Sequence, residues 1–254
     1  MQPSLRALVT GATAALVVSA SFALSASATP LTGASMNWSI QETGQNGTAN
    51  MLNLATCNST DVGGDCTLNN WTPGHGLYTV NSWTSAWDTD PFVTNNLNVT
   101  NNSLSTMIFD VTVTSPVGLT GPFTDMSGSI GITLTNTAGT VLLDSFLSNA
   151  IYVAIIDGSP VFPLFPAPYA LSCTGQFCST TDSDDFGVFP NSPVVGPQAN
   201  ATIGIRVQFQ LSPGDSAGIT SVFNIEPQPV PEPTPASLLV LGLVALVAAR
   251  RGRA

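Results

Sequence analysis

An all-β fold, an antiparallel β-sandwich of the Ig-like or jelly-roll kind, is what the middle of this 254-residue sequence predicts. Three observations carry that expectation. Apolar and polar residues alternate with period two in several short windows, the pattern of a sheet with one wet face. The windows recur roughly every ten residues, with Gly, Pro, Asn and Asp between them. No amphipathic helical window of useful length interrupts them.

The clearest strand is Thr202–Leu211, where Ile203, Ile205, Val207, Phe209 and Leu211 face one way and Thr202, Gly204, Arg206, Gln208 and Gln210 the other. Thr106–Thr114 repeats the pattern with Met107, Phe109, Val111 and Val113 inward, and Ile130, Ile132 and Leu134 give a third. Weaker strands are expected at Asn37–Glu42, Leu77–Trp87, Val93–Asn101, Val141–Phe146, Ile151–Ile156 and Ile219–Ile225. The stretch Tyr169–Pro197, rich in proline and acid, reads as a long surface excursion.

The two ends read differently from the middle. Arg6, the apolar run Ala7–Leu24 and the small-residue site Ala26-Ser27-Ala28 have the layout of a secretory signal peptide, residues 1–28, which signal peptidase would remove. Residues 29–229 are then the folded domain. They hold fourteen acidic residues against one cation, Arg206, a net charge near −13. A field of that sign repels nucleic acid and attracts cations, so no nucleic-acid partner is expected. The sequence contains no lysine, which removes Schiff-base chemistry and P-loop phosphate binding.

The four cysteines form two close pairs, Cys57 with Cys66 and Cys173 with Cys178. In an exported chain the expected state is two local disulfides. Zinc is the rival, and the Cys173-x4-Cys178 spacing tolerates it, but the single histidine, His75, is far away in sequence.

From residue 230 the chain runs Val230-Pro231-Glu232-Pro233, then an apolar segment Ala236–Ala249, then Arg250, Arg251 and Arg253. The prolines keep the first part extended and accessible. The apolar segment, expected to be a short helix, covers about 21 Å at 1.5 Å per residue, less than the ~30 Å hydrocarbon core. The arginines would stay on the cytoplasmic side, leaving the domain outside. A short terminal helix behind an exposed turn has the layout of a processing signal whose tail is discarded.

Residues 230–254 resemble the PEP-CTERM sorting signal, through Pro231-Glu232-Pro233, the Gly242-containing apolar run and the arginine cluster. The resemblance implies recognition by an exosortase-like membrane enzyme in an exopolysaccharide-producing Gram-negative bacterium. The chain would pass through the inner membrane transiently on its way to the cell surface or the extracellular matrix. The phrase Asp88-Thr89-Asp90-Pro91-Phe92-Val93 is similar to stretches in other uncharacterised PEP-CTERM proteins, which implies no activity.

Candidate chemistry in the domain is thin. His75 lies in the turn-like Pro73-Gly74-His75-Gly76, which reads as a loop rather than as a triad member. Asp88 and Asp90 could face one another at glycosidase spacing, yet fourteen scattered acids make some such pair inevitable. No catalytic residue is therefore expected and no cofactor. Structural calcium is the one ion the pattern suggests, through Asp182, Asp184 and Asp185 in an acidic loop, with Asp61 and Asp65 as a second pair. Trp38, Trp71, Trp83 and Trp87 read first as core residues and second as sugar-binding faces. The sequence thus predicts a non-enzymatic surface or matrix protein. A carbohydrate-binding module comes next, with exopolysaccharide as its partner, and a secreted polysaccharide hydrolase last.

Overall fold

The computed structural model describes residues 31–60, 63–88, 91–118, 121–136, 139–189 and 191–228. The signal peptide, the Pro-Glu-Pro tail with its arginines, and Asp61 and Asp90 lie outside the described residues.

The described chain folds into two antiparallel eight-stranded sheets. In chain order the elements are β1 (Gly33–Ile40), β2 (Asn46–Asn50), α1 (Met51–Leu54), β3 (Thr56–Ser59), β4 (Gly63–Trp71), β5 (Tyr78–Asp88), β6 (Phe92–Asn101), β7 (Met107–Pro116) and β8 (Phe123–Thr135). Then follow β9 (Thr140–Asp144), β10 (Tyr152–Ile156), β11 (Ser159–Leu164), β12 (Ala170–Thr174), β13 (Ser179–Phe186), β14 (Val194–Pro197), β15 (Thr202–Leu211) and β16 (Ser216–Pro227). The first sheet runs β11-β10-β15-β7-β1-β2, with β9 beside β15 and β12 beside β9. The second runs β13-β8-β16-β6-β5-β4-β3, with β14 also on β8.

One hydrophobic cluster fills the space between the sheets. Phe109, Phe209 and Val111 come from the first sheet, and Trp83, Ile132 and Phe223 from the second, all fully buried. The expected alternation places them there, and β15 spans the predicted Thr202–Leu211. Its polar side is more enclosed than period two alone implies, because Gln208 exchanges hydrogen bonds with Asn149 and Asp110 and is itself buried.

Tyr169–Pro197 differs from expectation. It holds three strands, β12, β13 and β14, rather than a loop. Their burial is low because all three lie outside the central strands, so backbone pairing, not an apolar face, specifies them. The polar strands β2 and β3 escaped the sequence for the same reason.

Both expected disulfides are present, Cys57–Cys66 and Cys173–Cys178. The first links residues directly opposite each other on the β3–β4 ladder, and the second closes the turn between β12 and β13. With sequence separations of 9 and 5, chain-entropy arithmetic gives each roughly 2–3 kcal/mol. Replacing Cys57 and Cys66 with serine is expected to lower the unfolding free energy by that amount, read by urea titration. A variant as stable as the parent under non-reducing conditions would contradict it.

The hairpin β10–β11 turns on Asp157-Gly158, both at positive φ (50° and 77°), the pairing that a two-residue hairpin loop favours. Slight burial works against ionisation of Asp157. Hydrogen bonds from Thr202, Asn200 and Ala201 outweigh it and hold the carboxyl at about 2. Asp157 therefore ties this turn to the start of β15 at any physiological pH.

The two ends of the sandwich differ. Thr32 and Gln228, near the limits of the described chain, bond to Thr114 and Phe123 at one end. The turns Asn102–Thr106 and Ser212–Asp215 lie at the other, where Asn101 bonds to both Asp215 and Gly214.

Candidate functional site

Four aromatic rings meet at an opening between the β1–β2 edge and the neighbouring ends of β4 and β5. Trp38 stands on β1 directly across from Gly47 on β2. A Cβ at Gly47 would lie 2.9 Å from the indole, so the absence of a side chain lets the ring lie against the β2 backbone. Trp71 ends β4 and Tyr78 begins β5. Between them the chain turns through Pro73–Gly76, closed by the Gly76 N–H donating to Pro73 O at 2.8 Å with Gly76 at φ 69°. His75 rides on this turn, its Nδ1 accepting from the Leu77 N–H at 3.2 Å.

Ring centroids lie 4.6 Å apart for Trp38 and His75, 5.8 Å for Trp38 and Tyr78, and 5.9 Å for Trp71 and Tyr78. These spacings are those of favourable aromatic pairs. Tyr78 also packs edge-on against Phe109, which stacks on Phe209, so the site is continuous with the core. The pocket is about 460 Å³, within the range of small-ligand sites.

Its rim comes from β2 and α1. The Asn50 side chain caps α1, accepting from the Leu52 and Asn53 N–H groups, and the single turn presents Asn53 and Leu54 to the opening. Neither the indole N–H groups of Trp38 and Trp71 nor the Tyr78 hydroxyl makes a hydrogen bond within the described residues. Burial pushes the Tyr78 hydroxyl up to about 12, so it remains a protonated donor at neutral pH. No carboxylate, lysine or arginine lines the pocket. It offers apolar ring faces and neutral donors.

No family model and no curated protein matches the chain. Among solved structures it has a slight likeness to TmCBM61 in complex with beta-1,4-galactotriose. There the identity is 9% and the TM-score 0.25, over 53% of this chain and 71% of that one. A CBM4 structure gives 12% identity and a TM-score of 0.19, over 64% and 87%. The enzymatically active domain of bacteriophage CBA120 tailspike protein 4 gives 10% and 0.23, over 68% and 19%. Likeness at these scores carries no argument about function.

The other candidate residues are dispersed. Trp83 and Trp87 are buried between the sheets, away from the pocket lining. Asp182, Asp184 and Asp185 lie on β13, where successive side chains leave opposite faces of the sheet. Asp182 accepts from the Tyr169 hydroxyl at 3.0 Å and Asp184 from the Phe165 N–H at 3.4 Å; Asp182 and Asp185 are exposed and Asp184 is half-buried. Among the described residues no group of three or more His, Cys, Asp or Glu is placed to hold a metal ion. Asp65 is exposed on β4. Arg206 makes a bidentate pair with Asp110, at 2.8 and 2.6 Å, on the outer side of the first sheet. The lone cation of the described residues is thus committed to a carboxylate.

Sequence reasoning missed Gly47, Asn50 and Tyr78 as parts of one site. The available signal was local: Trp71 and Tyr78 flank the Pro73–Gly76 turn, so that a tight reversal brings two aromatic residues to the same end of the sheet.

Proposed function

We propose that this is a non-enzymatic exported surface protein that holds a neutral sugar unit in the pocket of Trp38, Trp71, His75 and Tyr78, after sorting through its C-terminal segment by an exosortase-like enzyme. The observation that carries the binding half is the convergence of four rings around a neutral pocket with uncommitted indole and phenol donors. Aromatic faces cover the apolar C–H faces of a pyranose, while N–H and O–H groups at the ring edges meet its hydroxyls. Glycoside hydrolysis needs two opposed carboxylates, and this lining has none, which favours binding over turnover. Two disulfides accord with an oxidising compartment. Trp38, Tyr78 and Trp71 lie toward the end of the sandwich opposite Thr32 and Gln228. A domain tethered through its C-terminal segment would therefore present the pocket outward.

Glycan-array screening of the purified protein, followed by calorimetry on the best neutral ligand, tests the reading. Trp71 is only partly buried, so Trp71→Ala is expected to weaken binding at least tenfold, about 1.4 kcal/mol, while leaving the melting temperature nearly unchanged. Binding that is indifferent to this substitution, or confined to acidic glycans, would remove the pocket from the account.

A further inference from the structure

The outer face of the second sheet carries a separate groove of about 730 Å³ that crosses five strands, β13, β8, β16, β6 and β5. Antiparallel strands lie ~4.8 Å apart, so the crossing is about 19 Å long. Its centre is low because two glycines occupy outward positions. Gly131 on β8 has nothing within 4 Å of where a Cβ would be, and Gly218 on β16 has nothing closer than 3.8 Å.

Asn96, Asn98, Thr133, Thr181 and Thr220 surround that floor. Just beyond the groove, same-face polar groups satisfy one another: Asn81 donates to Asn98 Oδ1 and Thr100 Oγ1, both at 2.8 Å, and Thr100 bonds Ser216 at 2.7 Å. Within it several groups are left over. The hydroxyls of Thr133, Thr181 and Thr220 and the Asn98 Nδ2 make no side-chain hydrogen bond to the described residues. Asn96 donates to Thr84 Oγ1 at 3.2 Å, while its Oδ1 is shielded from solvent and has no partner. Asp182, the one carboxylate at the margin, is engaged by the Tyr169 hydroxyl and the Ser183 N–H. In a domain with fourteen acids, this groove is close to neutral.

We propose that the groove is a second binding site, for an extended neutral polysaccharide laid across the strands. The floor strands β8, β16 and β6 are each paired on both sides, so the floor offers no backbone edge for strand addition, and the one edge strand, β13, lies at the groove's margin. Recognition falls to side-chain amides and hydroxyls, which match a ligand that presents a hydroxyl group every few ångströms. Without an aromatic platform, the site gains by length, many weak hydrogen bonds along one chain, where the aromatic pocket grips a single unit.

Affinity electrophoresis of the full chain through gels containing a neutral β-glucan, a galactan or dextran, with alginate in parallel, tests the proposal. At least one neutral polymer is expected to retard the protein more than alginate does. Gly131→Trp adds a ring into open space and is expected to reduce that retardation at least tenfold at an unchanged melting temperature. If Gly131→Trp lowers the melting temperature, Thr220→Gln, a smaller intrusion into the same groove, is read in its place. Retardation lost with Trp71→Ala but kept with Gly131→Trp would overturn the groove and leave the aromatic pocket standing. Failure of every neutral polymer to retard the protein overturns it as well.

Discussion

Trp83→Ala is expected to destabilise the sandwich by about 3–5 kcal/mol, the range for truncating a large aromatic in a packed core. Trp83 is fully buried on β5, opposite Leu97 of β6 and Leu68 of β4. Its indole N–H donates to Asn95 Oδ1 at 3.0 Å. Asn95 is itself fully buried, and its Nδ2 has no partner. The hydrogen bond therefore serves to satisfy an amide that water cannot reach. Trp83→Phe keeps much of the packing but orphans the Asn95 carbonyl, at a cost of about 1–3 kcal/mol beyond the lost volume. Asn95→Leu alone strands the indole N–H instead. The double variant Trp83→Phe with Asn95→Leu removes both polar partners and is expected to be more stable than either single change predicts by addition. Urea unfolding of the four proteins measures the cycle, and simple additivity would refute the role given to this pair.

Replacing Pro231-Glu232-Pro233 with three alanines is expected to leave export intact and to trap the protein in the inner membrane. On the proposed sorting route, the sequence Pro231-Glu232-Pro233 would be what the processing enzyme reads, and Ala236–Ala249 would be the apolar segment that holds the unprocessed chain. Deleting Pro235–Ala254 should instead release the domain. Among the described residues no helix is long and apolar enough to cross a membrane, so none substitutes for that anchor as a spanning helix. Cell fractionation with an antibody to the sandwich distinguishes the two. A triple-alanine protein found at the surface at its normal processed size would show that this segment is not the sorting signal.

The candidate site was far less legible than the sheets. Four tryptophans of one chemical type divide two and two, Trp83 and Trp87 in the core, Trp38 and Trp71 at the pocket. Only Trp71, next to the Pro73–Gly76 turn, carries a local mark of its place, and nothing beside Trp38 sets it apart from the core pair. Trp38 reaches its position because β1 pairs with β2 in the register that sets Gly47 opposite it. That register is a contact between segments, invisible to a single-sequence window. The acidic run Asp182–Asp185 shows the converse. Its composition suggested an ion-binding loop, yet pairing with β8 makes it a strand and sends adjacent carboxylates to opposite sides.

By itself the sequence determined the β class, the nine strands whose apolar faces are buried, the partners of both disulfides and the acidic charge of the domain. Each of these is local: period-two alternation, a separation of five or nine residues, a composition. Only the tertiary structure decided that polar segments such as β2, β3 and β13 are strands, since their warrant is the ladder of a neighbour rather than a face of their own. It also decided where four rings converge and where two glycines open a groove, because a site built from segments as far apart in sequence as Ser82 and Thr220 exists only once the strands are in register.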